Sequence, residues 1–293
     1  MAILTGINTR LHGSAGDWTF ARVGDRTIAK QKVEKKAVPT RTLAQMVRRV
    51  QLANLVNIYR AFGGTLHPSF ENKATGVNDY NAFVSANLGI IPVYLAKDEA
   101  RQGGAVVAAY QVTRGSLPSI VMTTGTGDVA VTDISLGSMS ITASTTLKAF
   151  SNAVVNNNPD YEYGDQISAF IATQSVNSES QVPYVKIQAI EVTLDGTDEE
   201  TVLRDLVGTE AFSVVDGHLG AGQTVNGAIA YVHSRKTQSG TKVSTQRFLV
   251  SNSILPNYQS AAQRAAAILS YGGTQGDPFL TPNIDEVVEP VTP

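Results

Sequence analysis

The chain of 293 residues contains no cysteine, which excludes disulfides, thiolate nucleophiles and cysteine-based zinc sites. Apolar residues at 42% suffice for one large core or two smaller ones, and charged residues at 16% fall below the roughly 25% of ordinary globular domains. The net charge of −2 hides an asymmetry: residues 1–60 carry eleven Lys/Arg and three Asp/Glu, net +8, while residues 61–293 carry twelve and twenty-two, net −10. Such a split marks a surface that docks on something acidic, either nucleic acid or the acidic part of a neighbouring copy.

Residues 1–38 read as short extended segments broken by Gly6, Gly13, Gly16 and Gly24, and are expected to form a basic extended arm. Pro39 stops that run. Thr42 and Gln45 then stand in capping-box spacing, and Leu43, Met46, Val47, Val50, Leu55, Ile58, Tyr59 and Phe62 follow at helical intervals. This predicts a helix over 41–62, closed by Gly63 and Gly64. A second helix is expected over 79–88, capped by Asn78 and closed by Gly89, so that residues 39–89 make a helical hairpin.

After Gly89 the hydrophobic period changes to two. Strands are expected over 93–96, 105–113, 119–123, 129–136, 138–143, 166–173, 184–194, 211–215, 227–235 and 243–250. The segments 228–235 and 241–250 flank Gln238-Ser239-Gly240, a hairpin signal. Helices are expected over 146–155, 198–207 and 258–271. From residue 274, Pro278, Pro282, Pro290 and Pro293 recur among acids and read as a flexible tail. The expected fold class is α+β: an N-terminal extended arm and helical hairpin, then a β-rich, sandwich- or barrel-like body over 90–273 with a few inserted helices.

Motifs for chemistry are sparse. His12, His67, His218 and His233 show no metal-ligand spacing, and surface or turn positions are expected for them. The glycines of 125–128 and 217–222 lack the phosphate-binding pattern and read as hairpin or loop glycines. The acidic run 195–200 fails the calcium-loop spacing and reads as a turn followed by a helix start. No Gly-x-Ser-x-Gly is present. No metal, no cofactor and no enzymatic activity are expected. No stretch reaches ~18 apolar residues, and no charged start precedes an apolar run, so neither a membrane span nor a signal peptide is expected.

The basic segment is the remaining signal. Its candidate docking residues are Trp18, Phe20, Arg22, Arg26, Lys30, Lys32, Lys35, Lys36, Arg41, Arg48 and Arg49. Arg22, Arg26, Lys30 and Lys32 share parity with Trp18 and Phe20, so one strand face would carry cations beside apolar anchors. Three readings stay open: a solvated face, a protein-docking arm, and a phosphate-binding surface. The apolar anchors and the acidic body favour docking between copies. A surface or carbohydrate-binding β-protein is a further alternative, which a single Trp supports thinly.

Gly6, the run Gly13-Ser14-Ala15-Gly16-x-Trp18-Thr19, Arg26-Thr27, and Pro39-Thr40-Arg41-Thr42-x-Ala44-Gln45-x-x-x-Arg49 together carry a resemblance. So do Asn81-Ala82-Phe83-Val84-x-x-Asn87-Leu88 and Val250-Ser251-Asn252-Ser253. The pattern resembles an uncharacterised domain family of Bacteroidetes and their phages. It covers residues 1–89 well and the rest loosely, and residues 90–225 match none of it. The resemblance implies a virion component of tailed, crAss-like phages, made in the host bacterial cytoplasm and set in a ring, collar, head–tail connector or tail layer. Its partners would be copies of itself and other virion proteins, with DNA contact through the basic arm as the alternative. No catalytic residues come with it.

Overall fold

A computed structural model describes residues 2–4, 12–23, 26–32, 42–66, 69–208 and 211–272. Two eleven-residue strands, Gln166–Val176 and Gly227–Thr237, form the centre of a five-stranded antiparallel sheet. Both are rich in Ala, Ile, Val and aromatic residues on both faces, the composition of a strand covered from two sides. Pro183–Thr193 pairs along the whole of Gln166–Val176. The other edge of Gly227–Thr237 is shared: Gly240–Val243 pairs with its end and Leu249–Ser251 with its start. The strand expected over 243–250 is therefore interrupted. Between the two pieces the chain swings out, and Gln246–Arg247 pairs instead with Gln111–Thr113. Ser244 holds the departure point, its N–H donating to His233 O at 2.8 Å and its hydroxyl accepting from His233 N at 3.0 Å.

Each face of this sheet buries a core. Phe170, Ala172, Ala228, Ala230 and Val232 pack against Leu55 and Ile58 of helix Leu43–Ala61, its C-cap residue Phe62, and Phe83 of helix Asp79–Asn87. On the opposite face, Ile167, Ala169, Ile171, Ile229 and Tyr231 meet Phe150 and Val154 of helix Leu147–Asn157. The same core takes in Ile134 and Leu219 from a second sheet, in the order Ser213–Val215, His218–Gly220, Ala130–Ser135, Met122–Thr124. The result is a layered, β-rich α+β fold, as the sequence implies. The helical hairpin shares its core with the body.

Helix Leu43–Ala61 starts where the capping box lies: Thr42 Oγ1 accepts from Gln45 N at 3.3 Å, and Gln45 Oε1 accepts from Thr42 N at 3.4 Å. Gly63, at φ +57°, ends it in the left-handed region. Helix Ala261–Gly272 packs on this helix through Met46, Val50, Ala267 and Ile268. It follows a short helix, Leu255–Gln259, so the segment expected as one helix over 258–271 is broken at Ser260.

Several expected elements differ. Of the strand expected over 105–113, only Gln111–Thr113 pairs in a sheet. Residues 105–108 are buried without strand pairing. Their backbone groups are met by side-chain amides, which act as peptide units from elsewhere in the fold. Asn54 accepts from Val106 N at 2.9 Å and donates to Val106 O at 3.0 Å. Gln174 accepts from Val107 N at 2.9 Å and donates to Ala105 O at 3.1 Å, and Asn252 donates to Val107 O at 3.2 Å. A buried backbone needs such partners wherever no strand supplies them. Residues 93–96 and 138–143 form no strand either. The helix expected over 198–207 begins only at Leu203, because Asp195 and Asp198 hold Asx turns on Thr197, Glu200 and Thr201.

The first 38 residues are not a lone extended strap. Ala2–Leu4, Arg26–Gln31, Trp18–Val23 and Gly13–Ala15 pair in that order as a four-stranded antiparallel sheet. The tail over 274–293 lies outside the described residues.

Candidate functional site

The N-terminal sheet places the expected docking residues on two faces, not one. Arg22 pairs with Thr27, Phe20 with Ala29 and Trp18 with Gln31, so these six share a face. Arg26, Ile28 and Lys30 face the other way, with Ala21 and Thr19. The pairing of Val23 with Arg26 inverts the parity that sequence numbering carries, so Arg22 and Arg26 do not line one face. Trp18 is 49% exposed and Phe20 half-buried, while Arg22, Arg26, Lys30 and Lys32 are exposed. Lys32 follows the strand end, where its N–H donates to Asp17 O. Lys35, Lys36 and Arg41 lie outside the described residues. Arg48 and Arg49 are exposed on helix Leu43–Ala61, with the Arg48 guanidinium over Gly89.

A second constellation was not foreseen. His233, expected at a surface or turn, is 1% exposed on strand Gly227–Thr237. Its Nε2 lies 2.8 Å from Asp165 Oδ2, and Asp165 is also 1% exposed. Arg235 donates to the same carboxylate from Nε at 2.7 Å and Nη2 at 2.8 Å, and Glu162 N–H adds a bond at 2.9 Å. Arg235 also reaches Asp160 O and the Glu162 carboxylate. Burial alone would raise the Asp165 carboxyl, but the bonds from Arg235, His233 and Glu162 N–H outweigh it and hold the group well below the usual carboxylate range. Tyr161 stacks on the imidazole at 4.3 Å between centroids. Its hydroxyl is raised by burial and by the charges of Asp133, Asp165 and Asp160.

The chain matches no family model, no curated protein and no solved structure. Its own geometry therefore carries the functional reading. Among the described residues no group of three or more His, Asp and Glu side chains is placed to hold a metal ion, and no helix is long and apolar enough to cross a membrane.

The signal for His233 was present in the sequence. Ile229, Tyr231 and His233 alternate on one face of an apolar strand, and the first two are core residues. Asp165 gave none, because it precedes its strand by one residue and meets His233 only through the pairing of Ile167 with that histidine.

Proposed function

We propose that this chain is a non-enzymatic structural subunit of a bacteriophage particle, set in a ring, collar, head–tail connector or tail layer. It docks on adjoining copies through the N-terminal sheet. The observation that carries the reading is the half-exposed Trp18 on the sheet face that Phe20 and the exposed Arg22 share, with Arg26 and Lys30 exposed on the opposite face. An aromatic side chain left in water on the same face as a guanidinium is an anchor ready for an apolar pocket with an acidic rim. The acidic body supplies the complementary charge, net −5 over residues 90–273. The self-paired sheet makes the docking element preformed, so less entropy is lost on binding than for an unpaired extended arm.

Light scattering on the full chain and on a chain lacking residues 1–38 tests this. The full chain should form a discrete oligomer and the shortened chain a folded monomer. Oligomers from the shortened chain would refute the reading. Charge reversal at Arg26, Lys30, Lys32, Arg48 and Arg49, read for oligomer mass and DNA retention together, separates docking from phosphate binding. DNA binding that weakens steeply with salt and vanishes on reversal, with oligomer mass unchanged, would favour nucleic acid.

A further inference from the structure

The buried face of His233 opens on a small cavity of about 160 Å³. In the neutral imidazole, Nε2–H donates to Asp165 and Nδ1 is left as a bare acceptor. Among the described residues the ring's hydrogen bond is the Nε2 contact to Asp165, and the residue is 1% exposed. Asp165 fixes this arrangement, since its carboxylate is held from the far side by Arg235 and Glu162 N–H. A buried ring locked in this way presents one lone pair to whatever enters.

The cavity wall divides by chemistry. Asp133 and Asp160 line it, both exposed, and neither carboxylate has an ion-pair partner among the described residues. Neither Lys nor Arg is in the lining. Around the imidazole stand the carboxylates of Asp133, Asp160, Glu162 and Asp165 against the single guanidinium of Arg235. Pro118, Ile120, Ile134 and Pro159 make one part of the wall apolar, and Ser119, Asn158 and Tyr161 complete it. An acceptor and excess negative charge ask for a hydrogen-bond donor that carries positive charge. The apolar wall asks for a short alkyl chain behind it. The volume equals that of about five waters at ~30 Å³ each, and a butylammonium ion has five heavy atoms.

We propose that this cavity is a receptor for a primary alkylammonium group, its nitrogen seated against His233 Nδ1 and the Asp133 and Asp160 carboxylates, its methylenes on the apolar wall. Two sources present that chemistry: a lysine side chain of an adjoining copy, with Lys30 and Lys32 as exposed candidates, or a free small amine. The first source rests on the docking reading above. The site itself does not.

The test uses n-butylammonium chloride as the probe on the full-length chain with ¹⁵N-labelled histidine. Titration to about 0.1 M, a range suited to so small a ligand, should shift the Nδ1 resonance of one histidine, which His233→Gln removes. Because that variant alters a buried ion pair, the exposed changes Asp133→Asn and Asp160→Asn provide fold-neutral checks. Each should weaken binding roughly three- to fivefold. The neutral isostere n-butanol should bind at least about tenfold more weakly. No shift at His233, or an equal response to n-butanol, overturns the proposal. Carbodiimide treatment of mixed ¹⁴N and ¹⁵N chains then separates the sources. An isotopically mixed amide between Asp133 or Asp160 and Lys30 or Lys32 assigns the site to the adjoining copy. Probe binding without that cross-link assigns it to a free amine. A chain that stays monomeric would sink the docking reading and leave the butylammonium titration to decide this one.

Discussion

His233 Nε2 and Asp165 Oδ2 meet at 2.8 Å with both side chains almost closed from solvent, one from mid-strand and one from the residue before a neighbouring strand. The contact is three-sided, because Arg235 binds both oxygens of the same carboxylate. The His233 and Arg235 side chains, bound to one buried charge, fix the turn before Gln166–Val176 to the end of Gly227–Thr237, where the two long strands begin and finish their pairing.

The linkage of this carboxylate to folding has a defined sign. Asp165 titrates below its unfolded value, so between the two values the unfolded chain binds more protons than the native one. Its stabilisation is complete at neutral pH and is lost as the pH falls from the ordinary carboxylate range through the lowered folded value. Asp165→Asn should remove up to about 1.4 kcal/mol per pH unit of slope from the acid limb of the stability curve. Urea midpoints measured from pH 5 downward check this. An unchanged slope would mean that the carboxylate is not held in the charged state by these partners. Asp165→Ala at pH 7 should cost about 3–5 kcal/mol, since it strands Arg235 and His233.

Asn54 makes a prediction of a different kind. Its amide satisfies both polar groups of Val106 and also donates to Tyr110 Oη at 2.7 Å. Replacing it with Leu keeps most of the volume and leaves the Val106 N–H and C=O unpaired in the core. The cost should be about 2–6 kcal/mol, at 1–3 per stranded group. Hydrogen exchange gives a second readout: the Val106 amide should lose protection more than those of Gln166–Val176. Equal loss at both sites would point to global destabilisation alone.

What the sequence disclosed follows a physical line. Helix Leu43–Ala61 is written in local terms, with a capping box at its start and a 3.6-residue stripe along its length, and it forms where those signals lie. The two long central strands are equally local. Residues 105–110, Ala-Val-Val-Ala-Ala-Tyr, look like a buried strand, yet the backbone groups of 105–107 are met largely by the side chains of Asn54, Gln174 and Asn252, which are up to 145 positions away. Nothing local distinguishes that from sheet pairing. The cation faces of residues 18–32 were misassigned for a related reason: parity is meaningful only within one strand, and the pairing of Val23 with Arg26 resets it. His233 was visible as a core position by its alternation with Ile229 and Tyr231, but its role needed Asp165, which only the tertiary fold brings to it.

Gly227 marks where the central strand changes from one partner pair to open chain. Its φ is +148°, and a Cβ there would come within 1.9 Å of Ala172 O. That oxygen belongs to backbone in the middle of the paired ladder and has little room to retreat. Gly227→Ala should cost about 3 kcal/mol, the upper part of the range for overpacking. Gly240 serves as the control. It also has a positive φ, at +128°, but a Cβ there meets nothing within 4 Å. Gly240→Ala should cost about 1 kcal/mol, from backbone strain alone. Thermal unfolding of the two variants side by side distinguishes steric contact from backbone conformation. Equal losses would remove the steric explanation.

Trp18 is the single tryptophan of the chain, so its fluorescence reports on one place. It is half-exposed on the face that also carries Phe20 and Ala29. If the N-terminal sheet docks on an adjoining copy, dilution should move the emission from a buried, blue-shifted position toward that of indole in water. The transition should fall at the concentration where light scattering registers dissociation. Trp18→Ala should weaken association about 30-fold, the ~2 kcal/mol expected of an interface anchor. The change removes a side chain that is half in water, so the stability of the separated monomer should fall by no more than a few tenths of that figure. Emission that stays constant through dissociation would place Trp18 outside the interface. Docking would then have to run through the cationic face of Arg26 and Lys30, which charge reversal at those two residues tests alone.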